Sequence, residues 1–223
     1  MDKEQLKENY RAVVQKIRAL DKEGRVKLLI ATKMQSCEDI NCIIDEGVSL
    51  IGENKVNELL EKYEGYDKRA EVHFIGTLQS NKVKYIVDKV SLIHSVDKLS
   101  LLAEIDKRSA KIGKVMDVLL EVNSGKEENK GGIFPEDVAE FYEKAKEFGN
   151  VRVRGLMTMA PKCQSREEYL KYFGLTKELF DALFGNDETA ILSMGMSESY
   201  EYAIEAGATL VRVGSKIFGE RKY

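Results

Sequence analysis

One lysine of this chain stands at a position where its amine could act as a nucleophile. Lys33 follows directly on the mostly aliphatic run 28–32, which is predicted to be a β-strand. Next to an apolar interior a lysine is less stable as an ammonium ion, and the neutral amine attacks aldehydes to form a Schiff base. The alternative is a strand end that reaches into solvent, and the local sequence does not decide between the two.

Two segments near the C-terminus have the residue types of an anion-binding site. Ser197 is predicted to be the N-cap of a helix that begins at Glu198, and Gly214-Ser215 leads directly into the segment 216–219. A glycine lets backbone N–H groups approach an anion closely, and the first turn of a helix supplies further donors. The alternative is an ordinary cap and an ordinary turn.

A single arginine precedes the second of these segments. Arg212 lies two residues before Gly214, so both alternate with Val213 along the same predicted strand. An arginine that faced the surrounding helices would be costly unless it were paired. We therefore expect Arg212 to face the mouth of the fold, as a fixed cation beside the anion site.

The fold that positions these residues is predicted from a repeating pattern. A short aliphatic run followed by a longer, charged amphipathic run recurs about eight times, after one extra N-terminal amphipathic helix. This alternation implies a parallel sheet, and eight units favour a closed (β/α)8 barrel of the TIM type over an open doubly wound sheet. No linker divides the chain, so residues 1–223 are predicted to form a single α/β domain. The predicted strands are 26–32, 49–52, 72–76, 91–95, 115–123, 151–158, 190–194 and 209–213.

The predicted barrel places the residues with chemical potential at one end. In such barrels functional groups lie at the C-terminal ends of the strands, and phosphate often binds in the loops after strands seven and eight. Lys33 follows the first predicted strand, Ser197 the seventh and Gly214 the eighth. The fold therefore predicts that the amine and the two anion-binding segments share one cavity.

Charge and composition limit the classes of partner. Lysine and arginine total 35 against 38 aspartate and glutamate, which argues against nucleic acid. No stretch approaches about 18 apolar residues and the N-terminus is polar, so we expect neither a membrane partner nor a signal peptide. Three cysteines without metal-ligand spacing fit a cytoplasmic protein. His73 and His94 have no third ligand candidate, which argues against a metal site.

Six segments of the sequence resemble the pyridoxal phosphate homeostasis proteins, a family that shares the barrel of the alanine racemase N-terminal domain. The run from Ser193 to Ser197 and the run from His73 to Lys82 are specific to this family. The six segments span almost the whole chain, and they are 31–33, 51–54, 73–82, 155–157, 192–197 and 211–219.

The resemblance implies a pyridoxal phosphate (PLP) cofactor and a role for each candidate residue. Lys33 is similar to the lysine that forms the Schiff base. Arg212 is similar to the residue that faces the pyridine nitrogen, which a permanent cation would keep unprotonated. The other implied contacts are Ser197, Gly214 and Ser215 for the phosphate, and Asn54, His73 and Met194 for the rest of the pocket.

The same resemblance leaves two functions to compare. The related racemases have a second, mostly β domain that contributes a tyrosine base opposite the lysine, and these 223 residues have no room for it. We therefore predict a monomeric carrier that binds, buffers and delivers PLP, with PLP-dependent apo-enzymes as recipients. The alternatives are a single-domain PLP-dependent amino-acid racemase and a barrel enzyme that acts on a sugar phosphate.

Overall fold

The aliphatic runs of the sequence form eight parallel strands, and these close into a barrel in chain order. This architecture is that of a computed structural model, which describes residues 2–185 and 187–219. The last strand pairs with the first, with Leu29 opposite Arg212, so the predicted closed barrel is confirmed and the open sheet is wrong. The strands are β1 (Lys27–Ala31), β2 (Leu50–Glu53), β3 (Glu71–Phe74), β4 (Leu92–Val96), β5 (Met116–Val122), β6 (Val151–Thr158), β7 (Ile191–Ser193) and β8 (Leu210–Val213).

Each strand is followed by a helix on the outside of the barrel, and one further helix precedes β1 as the sequence predicts. None of the helices in the described ranges is long and apolar enough to cross a membrane. The α-helices are α1 (Lys3–Leu20), α2 (Cys37–Ile44), α3 (Val56–Lys62), α4 (Val83–Ile86), α5 (Leu99–Lys111), α6 (Val138–Ala145), α7 (Arg166–Phe184), α8 (Tyr200–Glu205) and α9 (Ser215–Phe218).

Side chains along the strands alternate between two cores, because successive residues of a strand point to opposite faces. Outward-pointing residues such as Ile30, Ile51 and Phe74 are fully buried against the helices. Inward-pointing residues fill the barrel in two smaller clusters, one of Leu29, Leu50, Ile75 and Leu210 and one of Leu92, Leu119 and Met157.

The N-terminal helix α1 packs against the helices that flank β1 and β8. Its buried face consists of Leu6, Val13 and Ile17. The Asn9 side-chain amide donates to the carbonyl of Ile217 in α9 at 3.0 Å. The extra helix therefore supports the element that follows directly on the turn after β8.

Candidate functional site

A cavity of about 440 Å³ opens at the carboxyl ends of the strands, and its volume is typical of small-molecule sites. The closed barrel brings residues from the ends of β1, β2, β7 and β8 to its wall, although they are far apart in the sequence. Most of the predicted site residues line it, namely Lys33, Asn54, Ser197, Arg212, Gly214 and Ser215. His73 and Met194 do not.

A larger groove of about 670 Å³ lies at the opposite end of the barrel, between the C-termini of α1 and α7. Its rim carries acidic and basic side chains together, such as Lys22, Glu23 and Asp181. Functional groups of these barrels collect at the other face, where the strands end. The smaller cavity is therefore the candidate site.

Lys33 is half-buried on the wall of the cavity, at the point where the chain leaves β1. The Thr32 N–H still donates to the carbonyl of Gly52 at 3.0 Å, and the Gln35 N–H donates back to Thr32 at 3.1 Å. The turn includes left-handed backbone at Met34, where φ is 63°. Such backbone costs a non-glycine residue about 1–2 kcal/mol, so the turn after Lys33 must be held by contacts.

The turns after β7 and β8 are joined by one hydroxyl group. The Ser197 Oγ accepts from the backbone N–H of Gly214 at 3.2 Å and from that of Lys216 at 3.4 Å. Ser197 is itself buried. This end of the cavity therefore concentrates backbone N–H groups and a hydroxyl, which is the donor set that binds phosphate.

Gly214 is required by the close approach of the turn after β8 to the end of β1. A Cβ at this position would lie 2.9 Å from the carbonyl oxygen of Ala31 and 3.3 Å from the Ala31 Cβ. Any side chain at residue 214 would therefore push the two strand ends apart. The absence of a side chain brings the donors of this turn to the same wall as Lys33.

The helix after β7 begins later than the sequence predicts. The N-cap residue of α8 is Ser199 and the helix starts at Tyr200, so the prediction of Ser197 as its N-cap is wrong. The Ser199 Oγ accepts from the Met196 N–H at 3.2 Å and stabilises the loop before the helix. The Ser197 hydroxyl is engaged by the N–H groups after β8 instead.

Arg212 faces the interior of the barrel and lines the cavity. It donates to the Ser193 Oγ at 2.5 Å and to the carbonyl of Thr158 at 3.0 Å. Burial lowers the pKa of Arg212 to about 10, and the Glu121 carboxylate opposes that shift. The guanidinium therefore stays charged at neutral pH.

His73 lies in the barrel interior, where it belongs to a chain of polar groups that ends at Arg212. His73 Nδ1 is 3.0 Å from His94 Nε2, and His94 Nδ1 is 3.1 Å from the Ser193 Oγ that Arg212 also contacts. Burial lowers the pKa of His73 to about 4 and that of His94 well below its usual range. Both rings are neutral at pH 7, and His73 reaches the cavity only through this chain.

Met194 points away from the cavity. Ser193 faces the barrel interior, so the strand alternation turns the next side chain outward. Met194 is fully buried in the large core between the strands and the helices. Met194 was predicted to be a pocket residue, and the structure does not place it there. The prediction considered how close the residue lies to the end of the strand and did not consider which side of the sheet its side chain occupies.

Glu121 is a second buried charge of the barrel interior. Burial raises the pKa of its carboxyl to about 7; the Asp97 carboxylate adds to this shift, and Arg212 opposes it. The protonation of Glu121 therefore changes near neutral pH.

Thr158 and Tyr169 are among the residues of the cavity wall that the sequence reasoning missed. Thr158 is the last residue of β6, and the rule that functional groups lie at strand ends could have identified it. Its carbonyl oxygen accepts a hydrogen bond from Arg212. Tyr169 lies on α7 and reaches the cavity from the side, and no local sequence signal marks it. Its ring stacks on that of Tyr202, with the centroids 5.6 Å apart.

Sequence comparison assigns the chain to a known family. The model of the family described as alanine racemase, N-terminal domain, matches residues 1–222. The pyridoxal phosphate homeostasis protein of Aquifex aeolicus is 47% identical over 213 residues, which cover 92% of this chain and 93% of that protein. The chain belongs to the pyridoxal phosphate homeostasis protein family. The resemblance stated from the six segments is thereby confirmed.

Solved structures of similar proteins have the same barrel. The crystal structure of an unknown protein from Bifidobacterium adolescentis is 32% identical with a TM-score of 0.92, over 98% of this chain and 97% of that one. PipY of Synechococcus elongatus, solved with PLP bound, is 27% identical with a TM-score of 0.79, over 93% of this chain and 100% of that one. Family members thus share nearly the full length of this chain.

Proposed function

We propose that this protein binds PLP in the cavity at the carboxyl ends of the strands and acts in PLP homeostasis, as a carrier that binds, buffers and delivers the cofactor. The observation that carries the proposal is that Lys33, Arg212 and the turn Gly214-Ser215 line one cavity. The names of the curated relatives and the PLP bound to PipY support it.

The residues around the cavity fit the functional groups of PLP. The hydroxyl hydrogen of Ser197 and the Ser215 residue that follows β8 would hold the phosphate, close to β1 because Gly214 has no side chain. The Gly214 N–H would fix the Ser197 oxygen in place. Arg212 would face the ring nitrogen, and apolar surface such as Ala31 would contact the ring. When bound, PLP would supply an aldehyde, with which the Lys33 amine would condense with loss of water.

The charge of Arg212 would make bound PLP a weaker electron sink. Catalysis at the α-carbon of an amino acid needs the PLP ring as an electron sink, and a protonated ring nitrogen strengthens that sink. A buried guanidinium that stays charged at neutral pH would keep the nitrogen unprotonated. The ring would then bind to Lys33 without strong activation of a substrate.

One observation favours the alternative, a single-domain amino-acid racemase. Racemisation needs proton-transfer groups on both faces of the substrate carbanion. Lys33 can serve one face, and the phenol of Tyr169 lies on the wall of the same cavity. Incubation of the PLP-loaded protein with single-enantiomer alanine or serine, followed by chiral chromatography, separates the two functions. Sustained turnover that Tyr169→Phe abolishes would establish the racemase.

An absorbance titration with PLP tests binding at Lys33. We expect the visible band of the lysine-bound cofactor in the wild-type protein and its loss in Lys33→Ala. Lys162→Ala is the matched control, because the Lys162 side chain also lines the cavity. A band that persists in Lys33→Ala and disappears in Lys162→Ala would contradict the proposal.

Three further parts of the proposal concern the recipients of the cofactor, the location of the protein and its oligomeric state. PLP-dependent apo-enzymes are the proposed recipients of the cofactor, the proposed location is the cytoplasm, and the proposed state is a monomer of 25.3 kDa. Sedimentation of the purified protein with and without PLP tests the last of these. A mass of two chains would contradict it.

A further inference from the structure

Both peptide groups that flank Lys33 are held by side chains of α3. The Lys62 ammonium donates to the carbonyl oxygen of Thr32 at 2.9 Å, and the Met34 N–H donates to the Glu58 carboxylate. Because a peptide group is planar, the first contact fixes the plane before Lys33 and the second fixes the plane after it. Together they restrict the two backbone torsions of Lys33, and so the direction in which its side chain leaves the chain.

These contacts belong to one buried ionic network. Lys62 lies 2.5 Å from Oε1 of Glu53 and 2.9 Å from Oε1 of Glu58. The same Glu53 oxygen accepts from the Thr32 hydroxyl at 2.6 Å and from the Tyr66 hydroxyl at 2.7 Å. Lys62 is 9% exposed and Glu53 has no exposed surface. The network is therefore shielded from solvent.

Stability alone does not account for charges at these positions. Burial of a lysine and a glutamate carries a desolvation penalty, and well-packed apolar residues in place of a buried ion pair are often equally stable. What apolar side chains cannot supply is a donor for the Thr32 carbonyl and an acceptor for the Met34 N–H. Met34 adopts left-handed backbone, and its side chain is 50% exposed, so its own packing does not hold that conformation.

We propose that Lys62 and Glu58, anchored by Glu53, are positioning residues that aim the amine of Lys33 into the cavity. None of the three is among the residues that line the cavity in the described part of the chain, so they act through the Lys33 backbone and not by contact with a ligand. The inference rests on the proposed function, in which the Lys33 amine bonds to the aldehyde of PLP.

The test compares two ligands that differ only at the atom that Lys33 attacks. Deoxypyridoxine phosphate carries a methyl group where PLP carries its aldehyde, so it cannot bond to a lysine. In Lys62→Met we expect the affinity for PLP to fall by about 10- to 100-fold, as for a misplaced reacting group. The affinity for deoxypyridoxine phosphate should stay within about twofold of the wild-type value, because the phosphate and ring contacts remain.

The control variant is Lys144→Met. Lys144 forms an ion pair with Glu140 one helical turn away, as Lys62 does with Glu58, but on the exposed face of α6. Lys144→Met should leave the affinities for PLP and for deoxypyridoxine phosphate unchanged. Should Lys62→Met fail to fold, Glu58→Ala replaces it, since Glu58 is only partly buried and its loss leaves the pair of Lys62 with Glu53 in place.

Two results would overturn the inference: an equal loss of affinity for both ligands, which indicates a structural role alone, and unchanged affinity for PLP. Failure of the proposed function has a different signature. The wild-type protein would then bind PLP no better than deoxypyridoxine phosphate, and Lys33→Ala would change neither affinity.

Discussion

At the scale of single residues, the site depends on groups that are held by hydrogen bonds. The Ser197 hydroxyl joins two loops, Arg212 is held by Ser193 and Thr158, and the peptide groups around Lys33 are held by α3. A site with this many fixed donors is organised before a ligand enters. Substitutions that move one of these groups should therefore weaken binding more than they weaken the fold.

Gly214 gives a prediction at this scale. In Gly214→Ala the new methyl group would lie 2.9 Å from the Ala31 carbonyl oxygen, so the turn after β8 must move away from β1. We expect the affinity for PLP to fall about tenfold, equivalent to about 1.4 kcal/mol, measured by titration. Gly149→Ala is the control, because a Cβ there meets nothing within 4 Å. Equal effects of the two changes would contradict this account of Gly214.

Glu121 gives a prediction for pH. Its carboxyl has a folded-state pKa of about 7 against an ordinary value of 4.5, so between these values the folded state holds a proton that the unfolded state has lost. This group therefore destabilises the fold increasingly as pH rises towards 7. Glutamine does not ionise, so Glu121→Gln removes this loss. Between pH 5 and pH 7 the free energy of unfolding of the wild type should fall by about 2 kcal/mol relative to that of the variant. Urea unfolding at both pH values measures it, and a constant difference would contradict the assignment.

At the scale of elements, the sequence predicts the strands closely. Alternating aliphatic residues determine both the existence of a strand and its inward face, so predicted and observed bounds coincide for β6 at Val151–Thr158 and differ slightly elsewhere. The loops are less predictable: the Ser197 hydroxyl accepts from N–H groups after β8, and α8 begins after Ser199 without a side-chain cap. Tyr169 could not be predicted from the local sequence either, because only the packing of α7 brings its side chain to the cavity.

The extra helix α1 gives a prediction for an element. Leu6 is 2% exposed in the interface of α1, whereas Leu20 at the end of the same helix is 40% exposed. Leu6→Ala should lower the free energy of unfolding by about 2–5 kcal/mol, and Leu20→Ala by less than about 1 kcal/mol. Denaturant titrations of both variants test this. Similar losses would show that α1 does not depend on its buried face.

At the scale of the whole molecule, closure of the barrel brings together residues that lie far apart in the sequence. Lys33 and Gly214 are separated by most of the chain, and the pairing of β1 with β8 makes them neighbours. The general rule for strand ends predicted that they share a cavity, and the family resemblance assigned them to one ligand. Neither could predict the buried contacts of His73, because these depend on side-chain packing inside the closed barrel. The outward face of Met194 follows from strand alternation, which the prediction did not apply.

We propose that the Lys33 amine and the turns after β7 and β8 together hold one PLP molecule. Borohydride reduction of the PLP-loaded protein, followed by peptide mass mapping, tests it most directly, because reduction makes the bond to the lysine permanent. We expect one equivalent of label, all of it on the peptide that contains Lys33. Label on Lys162, which also lines the cavity, or spread over surface lysines would contradict it.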